Sequence, residues 1–179
     1  GADGIVAYGI IMYVGFIFVG TYLGYSIGTA PIIGYHYGAG NTEELKNLLK
    51  KSFKLIAVTS IVMTGLAEIS AKLLASIFVS YNAELLDLTT NAIRLFSISY
   101  IISGFNIFSS SFFTALNDGL VSAAISFLRT LVFQIAMIFI LPAIFGINGI
   151  WLAVVAAEIL ALAISVTFLV LNRKKYQYA

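Results

Sequence analysis

The chain has 179 residues, of which 60% are hydrophobic and only 10% charged. A soluble domain is roughly 45–50% apolar and about 25% charged, so this chain has too little polar surface to cover itself in water and needs lipid as the solvent for most of its exterior. The net charge of +2 is too small to argue for a nucleic-acid partner, and the lack of cysteine excludes a disulfide framework or a thiolate metal site.

A helix needs about 20 mostly apolar residues to cross the hydrocarbon core. Five segments meet that need: roughly Ile5 to Ile33, Ser52 to Phe78, Leu85 to Leu116, Val121 to Ile144 and Gly149 to Leu171. The opening GADGIVAYG has no basic region and does not read as a cleavable signal, so the chain is expected to begin inside a longer protein. Pro31 and the run from Gly34 to Asn41 are expected to stop the first helix. Thr42 is expected to cap the second, with Glu43 and Glu44 in its first turn, where the helix dipole favours acids. Ser80 to Glu84 separates the second and third helices. Asn117-Asp118-Gly119 is a tight-turn sequence, and Pro142 with Gly146 to Gly149 makes the last break. A β-barrel would need segments of about 10 residues alternating apolar and polar, and the unbroken apolar runs argue against it. The predicted fold is all-α: a polytopic transmembrane bundle of five spanning helices in one domain over residues 1–179.

Basic residues set the orientation. Lys46, Lys50, Lys51 and Lys54 lie between the first two helices, Arg173, Lys174 and Lys175 follow the fifth, and Arg129 falls toward the same side. That puts eight of the ten Lys and Arg on one side, which should be the cytoplasm, with only Lys72 and Arg94 toward the other. The amino end is then outside and the carboxyl end inside. Arg129 itself is expected at the interface, facing lipid phosphate or Asp118, with a role in transport as the alternative.

The polar residues within the spans are the candidates for chemistry. Glu158 sits midway along the fifth helix among apolar residues. An ionisable group at that depth is costly and points to function. Desolvation disfavours its charged form, so with no cation partner in its own helix it is expected to hold a proton; the competing reading is a structural Glu hydrogen-bonded to a neighbouring helix. On the third helix Ser99, Ser103, Asn106, Ser110 and Thr114 recur at spacings of 4, 3, 4 and 4 and share a face. Such a face either lines a cavity or joins helices by hydrogen bonds; Asn106 and Ser110 are the cavity candidates. Ser126, Thr130 and Gln134 continue the pattern on the fourth helix with Met137, and Gln134 is the best candidate for touching substrate. Gly20, Gly24 and Gly28 form a small-xxx-small stripe on the first helix, the signature of close helix packing. Glu68 and Lys72 stand at i and i+4, the spacing of a helix ion pair. His36, between Tyr35 and Tyr37, has no second ligand and reads as part of an aromatic belt. No metal site, nucleotide-binding loop or catalytic constellation is legible, so the reading is non-enzymatic, with no cofactor.

Three stretches resemble the multidrug and toxic compound extrusion (MATE) family, in particular its MepA-like bacterial branch. APIIGYHYGAGN (Ala30 to Asn41) is similar to the family's PIIGYNYGAKN at the end of the eighth helix. GFNIFSSSFFTALN (Gly104 to Asn117) resembles the tenth helix with its GFNxxxSxFFQALG pattern, and FGINGIWLAVVAAEIL (Phe145 to Leu160) resembles FGLNGIWLAxPIAE at the twelfth. The chain departs from these patterns at His36, Thr114 and Val155, and no carboxylate lies between Asp87 and Asp118, where the NorM branch carries a cation ligand.

The resemblance implies two six-helix lobes and export of cationic, amphipathic drugs across a bacterial inner membrane by antiport with sodium or protons, without ATP. It makes this chain the eighth to twelfth helices. The implied partners are the bilayer, the cationic drug, and an amino-terminal lobe plus one helix lying upstream. Glu158 would couple ion or proton movement to transport. A lipid-linked oligosaccharide flippase of the same superfamily is the competing reading, and a non-transporting assembly subunit is a third. A flippase carrying pyrophosphate-linked sugars should show several intramembrane cations, which are scarce here.

Overall fold

The computed structural model describes residues 2–179 as seven helices in an antiparallel bundle, with no strand among the described residues. They are α1 (Ala2–Gly38), α2 (Thr42–Val79), α3 (Ala83–Ser97), α4 (Tyr100–Ala115), α5 (Gly119–Phe127), α6 (Gln134–Phe145) and α7 (Ile147–Tyr176). A π-helical turn, Leu128–Phe133, joins α5 to α6, so Gly119–Phe145 is one 27-residue span. Helices α3 and α4 together make another, bent by 44° at Ile98–Ser99. With α1, α2 and α7 that gives the five expected crossings.

Several expected boundaries move. Helix α1 runs through Pro31 to Gly38 instead of stopping at the proline. Transmembrane helices tolerate proline because neighbouring groups and local backbone adjustment offset the lost bond. The turn before it is braced: Thr29 Oγ1 donates toward the carbonyls of Tyr25 (2.9 Å) and Ser26 (3.2 Å), and Ser111 donates to the latter from α4 (3.3 Å). The cap of α2 is Asn41, whose side chain accepts from Glu44 N at 3.1 Å; Thr42 is already helical. Pro142 lies inside α6, and the last break is the single residue Gly146 at φ +59°. Gly149 is obligatory beside it: a Cβ there would stand 2.2 Å from the Leu141 carbonyl oxygen.

Helix α4 is the spine, packing against α1, α2, α5 and α7. Its buried face carries Tyr100, Gly104, Ile107, Phe108, Phe112 and Phe113. Gly104 makes close packing possible, because a Cβ there would meet Tyr22 Cε1 at 2.8 Å and Ile56 Cγ2 at 2.9 Å. At the end bearing Lys46 to Lys54, an aromatic core of Phe108, Phe112 and Phe113 takes in Tyr176, the last residue of α7, and Tyr178, which follows the positive-φ Gln177. Asp118 holds this tail through hydrogen bonds from Tyr176 Oη and Lys175 Nζ. At the opposite end Trp151 packs with Ile10, Ile11, Leu85 and Ile93.

Candidate functional site

The densest buried polar cluster joins three spans at mid-depth. Glu158 is 6% exposed on α7. Arg129 reaches it from the π turn: Nε donates to Oε1 at 2.9 Å and Oε2 at 3.0 Å, and Nη2 donates to Oε1 at 2.7 Å. From α4, Asn106 Nδ2 donates to Glu158 Oε2 at 2.7 Å and to the Glu158 carbonyl at 3.0 Å. The Asn106 amide oxygen accepts from Ser165 Oγ at 2.9 Å. Both carboxylate oxygens and both ends of the Asn106 amide therefore have partners, as burial in an apolar surrounding demands.

This corrects one expectation and extends another. Arg129 lies against neither lipid phosphate nor Asp118, and Glu158, which has no cation partner in its own helix, finds one on another span. Asp118 instead bonds Lys175 at 3.1 Å and Tyr176. The cause is depth. Arg129 is ten residues into its span, about 15 Å from the helix start at 1.5 Å per residue. The nearest relief for its charge is then a buried carboxylate rather than a headgroup. Without Arg129, seven basic residues still cluster at the predicted cytoplasmic end, so the orientation argument stands.

The polar stripe divides between two tasks. Asn106 is fully buried in the cluster just described and lines no open cavity within this chain. Ser110 joins α4 to α5: its Oγ is 2.9 Å from Ser122 Oγ and 2.8 Å from Ser126 Oγ, and Thr114 Oγ1 is 2.7 Å from Ser122 Oγ. Gln134 and Met137 are half-buried on α6. The π turn interrupts the α-helical spacing from Thr130 to Gln134 on which their shared face was read.

Gly20, Gly24 and Gly28 do not pack against another helix of this chain. All three are exposed, and a Cβ at each meets nothing within 4 Å. Nor do Glu68 and Lys72 form an ion pair. Glu68 Oε1 instead accepts from Ser97 Oγ at 2.6 Å, beside the bend between α3 and α4. No group of three metal-ligating side chains occurs among the described residues. The residue missed from sequence as a member of the site is Ser165, two turns from Glu158 on the same face; the i, i+7 spacing was its only signal.

Five apolar crossings with a satisfied ion pair at mid-depth define a polytopic membrane protein. The MatE family model matches residues 1–140. Three solved structures align over nearly all of the chain. A MATE crystal structure in complex with MaL6 has a TM-score of 0.90 at 18% identity, covering 100% of this chain and 41% of that one. An outward-facing multidrug resistance MATE family transporter of the MOP superfamily has a TM-score of 0.91 at 19% identity, covering 100% and 40%. The Vibrio cholerae MATE transporter VcmN in its bent form has a TM-score of 0.90 at 20% identity, covering 99% and 41%. A comparison with curated proteins finds no match. The chain belongs to the MatE family of membrane transporters and spans about two fifths of the length of these structures.

Proposed function

We propose that this chain is the carboxy-terminal lobe of an ion-coupled exporter of cationic or amphipathic drugs. It works in a bacterial inner membrane by alternating access, with sodium or protons as the counter-ion. The observation carrying this reading is the Arg129–Glu158 pair. A carboxylate at mid-depth, held by a guanidinium from a different span, can exchange its partner when the spans move. A proton, a sodium ion or a drug cation then takes the place of Arg129, and the identity of the partner reports which way the protein faces. Ionisable residues inside membranes recur at such pathways. Glu158 is the coupling residue, Asn106 and Ser165 orient it, and Gln134 and Met137 on the half-buried face of α6 touch substrate. The amino-terminal lobe completes the cavity.

A lipid-linked oligosaccharide flippase is disfavoured because Arg129, the basic residue deepest in these spans, is already neutralised by Glu158. The test is ethidium efflux from cells stripped of their own exporters and expressing the full-length protein, under an imposed sodium or proton gradient. Efflux should follow one of the two gradients, and Glu158→Gln should abolish that dependence while leaving expression intact. Absence of ethidium export under either gradient overturns the reading.

A further inference from the structure

Arg129 stands on the π turn between α5 and α6, and that turn lies between two attachments of its span. On one side α5 is tied to α4 through Ser122 and Ser126 bonding Ser110. On the other, α6 is fixed to α7 by the tight corner at Gly146 and the backbone approach of Leu141 to Gly149. A continuous α-helix advances about 100° per residue. Between the two attachments the π turn carries one residue more than α geometry would, and Arg129 on that turn meets Glu158. Such turns inside α-helices are rare and gather at functional sites.

Resting on the transport reading above, the geometry points to the π turn as a register switch that loads and unloads Glu158. In the π form Arg129 acts as a tethered internal cation on the carboxylate. When the turn relaxes to α geometry, the two halves of the span rotate relative to one another and Arg129 is withdrawn. Glu158 is then free to take an external organic cation. The exposed side chains of Leu131 and Val132 on the turn leave one side of it without a neighbour in this chain to resist the rotation. Arg129 is thus a positioning residue, and the specificity of the site is for a monovalent, desolvated cation able to replace a guanidinium.

The experiment uses the full-length protein in lipid nanodiscs, with spin labels at the exposed Ala123 and Ile138 flanking the turn and tetraphenylphosphonium as the cation. Two distance populations are expected, with the ratio between them shifting at least threefold on adding the cation and not shifting in Glu158→Gln. A single distance unmoved by the cation overturns the proposal. A second arm deletes Leu131, which restores α register. Carbodiimide modification of Glu158, read by mass spectrometry, should then rise at least tenfold, with tetraphenylphosphonium protecting. Unchanged modification in a monodisperse deletion variant is the contrary result; if that variant does not fold, the distance measurement decides alone. If the wild type exports ethidium but the labels do not respond, the switch fails while the transport reading survives. If the wild type exports nothing, the transport reading fails independently of the labels.

Discussion

Replacing Arg129 by methionine removes the cation but leaves the Glu158 carboxylate buried with Asn106 as its remaining side-chain partner. Breaking a buried ion pair from one side costs about 3–5 kcal/mol, because the surviving charge is uncompensated. The Arg129 side chain is 19% exposed and that of Glu158 8%. The pair is therefore not fully enclosed by this chain, and the lower end, about 3 kcal/mol, is expected. At about 1.36 kcal/mol per tenfold, that is roughly two decades in the folding equilibrium. Replacing both members, Arg129→Met with Glu158→Leu, removes the stranded charge. Buried pairs exchanged for apolar residues of similar volume are often neutral, and Asn106 keeps its bond to the backbone carbonyl of residue 158. The double variant should return to within about 1–2 kcal/mol of the parent, with transport lost. The assay is an equilibrium unfolding titration of the purified full-length protein in mixed micelles, run as a double-mutant cycle. A single variant as stable as the parent, or a double variant no better than the single, would refute a desolvated ion pair at this position.

Three further outcomes follow from the fold. Gly104→Ala should destabilise the lobe by about 1–3 kcal/mol, since its methyl would press on Tyr22 and Ile56; a thermal unfolding midpoint equal to the parent's would contradict the packing. Single cysteines at Lys50 and Arg173 should resist an impermeant thiol reagent in intact cells while those at Asn82 and Asn148 react; outside labelling at residue 50 would reverse the topology. The hydrogen bond from Tyr176 Oη, followed by bonds from Val121 N and Lys175, holds the Asp118 carboxyl below its ordinary value of 3.8. A lowered folded-state value stabilises above the ordinary carboxylate range and is lost as pH falls through the lowered value. A fluorophore on Ala179→Cys should therefore report a docked tail unchanged from pH 5 to 8 and released only below about pH 4; release near neutrality would show that another group holds the tail.

The crossings were legible because lipid imposes a length and a composition that no turn sequence imitates. The bend in the third span was not, since no proline or glycine marks it. It is built by Ser97 and Ser99 in a locally tightened backbone, where Ser99 N bonds Phe96 O and Ile102 N bonds Ser99 O. Tertiary bonds hold it: Ser97 to Glu68, and Tyr22 Oη to the Tyr100 carbonyl. Glu158 was legible by its depth alone. Its partner was not, because Arg129 lies 29 residues away and reaches α7 only through a π turn that no local pattern announces. The glycine stripe on α1 shows the limit of a periodic signal, which describes a face but cannot say whether anything in the chain covers it.

Three polar seams converge on α4, one near each third of its length. Tyr22 Oη bonds both Ser60 Oγ and the Tyr100 carbonyl at its start, Asn106 meets Glu158 and Ser165 at its middle, and Ser110 and Thr114 meet Ser122 and Ser126 toward its end. The first ties α4 to α1 and α2, the second to α7, and the third to α5. In hydrocarbon a hydrogen bond cannot be exchanged for one to water, so these seams break only where a replacement partner is supplied. The first and third are uncharged and local, and their hydroxyls have backbone carbonyls within reach. The middle seam is different, because parting Arg129 from Glu158 strands two charges at once. Motion of α5 and α6 against the rest of the bundle therefore carries its largest electrostatic cost at mid-depth, where the guanidinium and the carboxylate would part.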